Sequence, residues 1–217
     1  MRVTNYMQNT YYRYPNITVD SKEVQVAFGL SKFDYWQDSD GISDKFKAKL
    51  RDTDIPKECV TLHRLKNSGV LHEVFTMIEY HDNKIKDSLY NYYRKENNEY
   101  YIGPHKDGNN VRKGFNRHAA SLVIPLKGID ENGNYSKVEW FANHPDQIEV
   151  NHETGTWCTN YEILTEKVDE AYMKLNQPII LRTDVWHNVR FSSPYRLLMR
   201  WLFKPEVSWE ESLNYFN

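Results

Sequence analysis

The sequence predicts a mainly β fold, a jelly-roll or double-stranded β-helix barrel with flanking helices, and three observations predict it. Short strand-like runs crowd the second half of the chain. Turn chemistry separates those runs, as in Asp130-Glu131-Asn132-Gly133-Asn134. Helical spacing of apolar residues falls mostly in the first half. Many short strands joined by turns, with helices set beside them, describe two packed sheets whose strand ends and loops converge on a mouth.

Taken in order, residues 1 to about 20 are polar and tyrosine-rich, an arm or an edge strand. Val24 to Phe28 alternates like a strand. Ser43-Asp44 ahead of Phe46 and Leu50 predicts a capped amphipathic helix over roughly 43–52. Val60 to Leu65 and Val70 to Ile78 read as strands, and Ile85, Leu89 and Tyr92/Tyr93 as one stripe of a helix over roughly 82–96. Strands then follow at Tyr100 to Ile102, Ala119 to Pro125, Lys137 to Phe141, Gln147 to Val150, Pro178 to Leu181, His187 to Phe191 and Arg196 to Phe203. Val168, Ala171, Tyr172 and Leu175 predict one interrupting helix over roughly 165–175.

No repeat, low-complexity block or Pro/Gly-rich linker divides the chain, so residues 1–217 are expected to be one domain. Within it, about 1–99 form an N-terminal flank, about 100–204 the barrel core, and 205–217 a C-terminal tail. A formal charge of −2 lacks the basic footprint of a phosphate-backbone binder, so no nucleic-acid partner is expected. Two cysteines, Cys59 and Cys158, exclude a disulfide scaffold and a multi-cysteine zinc site. The absence of an apolar N-terminal segment or of any long apolar run predicts a soluble, cytoplasmic protein without a membrane partner.

The chemistry concentrates in two segments. In Gly103-Pro104-His105-Lys106-Asp107-Gly108, alternation along an extended chain puts His105 and Asp107 on one side. Two ligands on one strand end define part of a coordination sphere, and His187 in Thr183-Asp184-Val185-Trp186-His187-Asn188-Val189 is the best third. Two histidines and a carboxylate on one face of a metal leave three positions open, the arrangement of non-haem Fe(II) oxygenases. Asp184 is a weaker carboxylate candidate, because it has no partner at ligand spacing. Past a Ser-Ser-Pro turn, Arg196 stands in an otherwise apolar and aromatic strand, nine residues after His187. A cation there is costly unless it meets an anion, and its fork can take a carboxylate in bidentate fashion. Arg200 shares its strand face by parity and is the rival.

In this order of His-x-Asp, distant His and Arg, and in the texture of Ser121-Leu122-Val123-Ile124-Pro125-Leu126, the chain resembles the Fe(II)/2-oxoglutarate-dependent dioxygenases, most of all small phage and marine-bacterial members. The resemblance covers roughly residues 100 to 203. It implies that His105, Asp107 and His187 ligate Fe(II), and that Arg196 binds the distal carboxylate of 2-oxoglutarate. It further implies that O2 and 2-oxoglutarate are consumed, succinate and CO2 released, and a C–H bond hydroxylated in a small molecule, amino acid or peptide side chain. The family often has a small hydroxyl residue two positions after the arginine, where Leu198 stands here. That role would fall to another residue, with Tyr100, Tyr101 and Ser121 as candidates. Trp140, Trp157, Trp186, Phe191 and Trp201 could wall a dry site or be core, and His118 is a candidate contact nearby. Two other functions fit the same residues: a metal-dependent hydrolase with water in the open position, and a non-catalytic cupin-like binding module.

Overall fold

The computed structural model describes residues 10–29, 48–81, 93–96, 99–107, 118–129, 133–144, 150–151, 157–158, 164, 166–193 and 195–216. The elements from the first half are β1 (Tyr12–Arg13), α1 (Ser21–Ala27), β2 (Ala48–Arg51), α2 (Val60–Lys66), β3 (Leu71–His81), β4 (Tyr93–Glu96) and β5 (Glu99–Lys106). There follow β6 (Ala120–Lys127), β7 (Ser136–Phe141), β8 (Val150–Asn151), β9 (Trp157–Cys158), β10 (Lys167–Tyr172), β11 (Ile179–Arg182), β12 (His187–Phe191), β13 (Tyr195–Phe203) and α3 (Trp209–Ser212).

The strands form two antiparallel sheets. One runs β1-β11-β6-β13-β3-β2; the other runs β10-β7-β12-β5-β9-β8, with β4 also on β5. From β10 onward the chain crosses between sheets at every step, through β11, β12 and β13. The inner quartets β11-β6-β13-β3 and β10-β7-β12-β5 make the barrel a double-stranded β-helix, the jelly roll read from the sequence. β3 pairs with β13 from Leu71 to His81, so the first hundred residues supply an inner strand of the barrel.

Two layers of core follow from strand alternation. On β6 and β13, Leu122, Ile124, Leu197, Met199 and Trp201 turn outward, packing with Val24, Ala27, Leu62, Leu65 and Trp209 of the three helices. Their neighbours Val123 and Leu198 turn inward to meet Ile102, Val138, Val189 and Phe191 of the other sheet. A strand buried on both faces is apolar at nearly every position, so the two inward arginines on β13, Arg196 and Arg200, stand out.

Several local expectations are corrected. Val24 to Phe28 is not a strand but lies on α1, where Asp20 caps the helix by accepting from the Lys22 N–H at 2.9 Å. Val24 and Ala27, three apart, are its buried residues. Val60 to Leu65 is likewise helical: Leu62 and Leu65 are buried while Val60 is 70% exposed. Of the expected helix over 43–52, residues 48–51 are strand β2, because Leu50 pairs against Phe75 of β3. Of that over 82–96, residues 93–96 are strand β4 on β5. The segments 43–47 and 82–92 lie outside the described residues. The helix over 165–175 is replaced by β10, which pairs with β7 and leaves Val168, Tyr172 and Leu175 exposed. Their helical spacing marks no buried stripe. Of the strand at Gln147 to Val150, residues 147–149 are not described and Val150 begins β8. Among the described residues no helix is long and apolar enough to cross a membrane.

Candidate metal centre

β5 and β12 are adjacent inner strands, and His187 pairs directly with His105. Two residues further along β12, Val189 pairs with Ile102, so Asn188 alone stands opposite Gly103 and Pro104. This is a bulge at a Gly-Pro step, where proline has no N–H to give the ladder. The extra residue shifts the phase of β5. Ile102 faces the barrel before the bulge; His105 and Asp107 face it after. Asp107 is fixed beyond the strand end by its N–H, which donates to the Thr183 carbonyl at 2.8 Å.

Both histidines are 4% exposed. Nδ1 of His105 donates to the Gly103 carbonyl at 2.8 Å, and Nδ1 of His187 to the Val185 carbonyl at 2.9 Å. A carbonyl can only accept, so each ring carries its proton on Nδ1 and presents the Nε2 lone pair to the cavity. The rings lie 4.3 Å apart, His105 Nε2 is 3.9 Å from Asp107 Oδ1, and the three ligand atoms fall within 4.8 Å of one another. Adjacent atoms bound to one ion at about 2.2 Å stand about 3.1 Å apart, so these donors share a metal by turning inward on it. The donor set, two neutral imidazoles and one carboxylate, fits Fe(II).

Arg196 and Arg200 both point inward from β13, as parity requires, and line the same cavity as the three ligands. Their α-carbons are about 13 Å apart along the strand. Arg200 Nη2 donates to Asp107 Oδ2, and its Nε donates to Ser121 Oγ at 3.1 Å. Arg196 is 2% exposed, with Nη2 3.2 Å from Met173 Sδ and the guanidinium 5.4 Å over the Phe191 ring. Between the arginines the wall is aliphatic: Val123, Val138, Val189 and Leu198. The cavity leaves about 50 Å³ of space open to a water-sized sphere.

The structure thus brings His105, Asp107, His187, Arg196 and Arg200 to one cavity. Of the three candidate hydroxyls, Ser121 lines it. Tyr101 instead accepts from Asn188 Nδ2 at 3.0 Å, and Tyr100 stacks on Phe191. Trp140 and Phe191 belong to the barrel core, Trp201 to the helix-side core, and Trp186 packs with Phe141 and Leu164; none lines the cavity. Asp184 pairs with Arg182 at 3.0 Å, away from the ligand group. His118 bonds the Phe203 carbonyl and meets His72 edge-on. Burial pushes its pKa down, with Arg200 and His72 helping against that carbonyl and Asp107. Thr183 and Met173 line the cavity and were not singled out from the sequence. The signal for Thr183 was continued alternation from Ile179 and Leu181.

No family model matches the sequence, and no curated protein does. Among solved structures, the chain is similar to the viral collagen prolyl hydroxylase vCPH from Paramecium Bursaria Chlorella virus-1, solved as a 2OG complex. The TM-score is 0.40 and the identity 11%, over 90% of this chain and 96% of that one. So loose a likeness carries no argument. The fold rests on strand order and the site on its own geometry.

Proposed function

We propose that this protein is an Fe(II)- and 2-oxoglutarate-dependent dioxygenase that hydroxylates a small molecule or an amino-acid or peptide side chain. One observation carries the reading: a buried arginine and a two-histidine, one-carboxylate group share the wall of a single cavity. His105 and His187 would hold the iron through Nε2 and Asp107 through Oδ1. With O2 and 2-oxoglutarate, the bound iron supplies oxidative decarboxylation to succinate and CO2 coupled to C–H hydroxylation.

The residues divide the remaining work. Arg196, remote from the metal ligands along β13, takes the distal carboxylate in a fork that a lysine could not reproduce. Arg200 is engaged with Asp107 and Ser121, so it orients the carboxylate ligand. The aliphatic wall between them keeps water from the reacting atoms.

The test is an anaerobic titration of the Fe(II)-loaded protein with 2-oxoglutarate. A weak charge-transfer band in the green is expected, and admission of O2 should yield succinate. Saturable iron binding without such a band, or metal-dependent hydrolysis without O2 consumption, would overturn the reading.

A further inference from the structure

Thr183 sits in the cavity wall, 2% exposed, four residues before His187. Its backbone is fixed at both ends: the N–H donates to the Ala119 carbonyl at 3.0 Å, and the carbonyl accepts from the Asp107 N–H at 2.8 Å. Its Oγ1 is fully buried and has no hydrogen-bond partner among the described residues. A hydroxyl desolvated without a partner is destabilising, and valine would fill the same volume without that cost. A built position that keeps such a group points to a ligand that completes it.

The ligand's chemistry follows from the neighbours. The backbone bond to Asp107 ties Thr183 to the metal end of the cavity, where Ser121 and Arg200 also stand, and not to the Arg196 end. An ionised carboxylate is an acceptor only, so a hydroxyl meeting it donates. We propose that Thr183 is a positioning residue whose Oγ1–H donates a hydrogen bond to the carboxylate at the keto-acid end of the bound cosubstrate, fixing the orientation in which that end meets the metal. This rests on the oxoglutarate reading above. It also answers the missing hydroxyl at Leu198 differently: the hydroxyl acts at the opposite end of the cosubstrate.

The test uses the full chain loaded with Mn(II), so that binding is read without turnover. Two ligands are titrated calorimetrically: 2-oxoglutarate, and oxalate, which has metal-end groups but no distal carboxylate. Thr183→Val should weaken both by about tenfold or more, the worth of a hydrogen bond to a charged group. Thr183→Ser should return both to within about threefold of the parent, because it restores the donor. Mn(II) affinity should stay within about threefold in both variants, and thermal stability of the metal-free Thr183→Val should be unchanged or raised. Undiminished 2-oxoglutarate binding in Thr183→Val would overturn the proposal. So would equal loss of Mn(II) affinity, or a loss confined to 2-oxoglutarate, which would move the hydroxyl to the distal end. If the parent binds Mn(II) but neither ligand, the oxoglutarate reading itself falls and takes this inference with it.

Discussion

At the scale of single residues, Arg196 separates stability from function. Arg196 is 2% exposed, with its guanidinium against the Met173 thioether and the Phe191 ring, so its charge stands largely out of water. Metal-free Arg196→Met is expected to fold, because an unbranched hydrophobe fills the space beside Met173 and Phe191. Its affinity for 2-oxoglutarate should fall by about 30-fold or more, from loss of a charge-assisted carboxylate pair. Fe(II) affinity should stay within about threefold, since it is Arg200, and not Arg196, that holds the Asp107 carboxylate. Thermal denaturation and anaerobic titration read the two halves separately. Unchanged cosubstrate affinity would hand the carboxylate to Arg200.

At the scale of elements, legibility depended on where each signal came from. His105 and Asp107 were readable because alternation over three residues is local, and the bulge at Gly103-Pro104 lies just before them. Arg196 was readable because a charge inside an apolar run is conspicuous. The helix α2 was not readable. Its N-cap position, Cys59, makes no side-chain cap bond. The cap comes instead from Glu23 on α1, whose carboxylate accepts from the Thr61 N–H at 2.9 Å and the Leu62 N–H at 3.2 Å. A cap supplied from 38 residues away leaves no start signal in the local sequence.

β7, β10 and β12 carry a charge network on the sheet face away from the cavity. Buried Glu139 accepts from Lys137 Nζ at 2.9 Å and from Asn188 Nδ2 at 3.0 Å, and forms an ion pair with Arg190, whose Nε is 3.0 Å away. Burial alone would push its carboxyl up, but Lys137, Asn188 and Arg190 together outweigh burial and hold it below its ordinary 4.5. A folded-state value below the unfolded one means that this stability is present above 4.5 and is lost as pH falls through the folded value. Glu139→Gln takes one carboxylate from Lys137 and Arg190, which keep Glu170 and Glu99, so it should destabilise by about 1–2 kcal/mol at pH 7. The gap to the parent should narrow in the acid range below 4.5. Urea unfolding at both pH values checks this, and a gap independent of pH would refute it.

At the scale of the whole molecule, the two ends of the described chain close one side of the barrel together. β1 is the edge strand beside β11, Tyr12 stacks on Trp140 of β7 at 5.8 Å, and Tyr14 donates to the Tyr172 carbonyl of β10. The N-terminal segment thus bridges the gap between the two sheets. It is held from behind by the C-terminal segment: Trp209 Nε1 donates to the Thr10 carbonyl at 3.0 Å, and the Asn16 N–H to the Phe216 carbonyl at 3.1 Å. Trp209 is buried in the helix-side core, so Trp209→Ala loses a large ring and one anchor of the bridge. A cost of about 3–5 kcal/mol in unfolding free energy is expected. The candidate metal ligands, however, stand on β5, just past its end and on β12, in the other sheet, and are fixed by the bulge and by backbone bonds from Gly103, Val185 and Thr183. The Thr183 contact alone among these adjoins the bridge, through Arg182, whose N–H donates to the Tyr11 carbonyl at 2.9 Å. Folded Trp209→Ala should therefore bind Fe(II) within about threefold of the parent while residues 10–19 become more sensitive to protease, as expected where stability is not uniform across a fold. A drop in metal affinity beyond about tenfold at a temperature where the variant is folded would show instead that closure of the barrel, and not the local bonding of β5 and β12, sets the metal site.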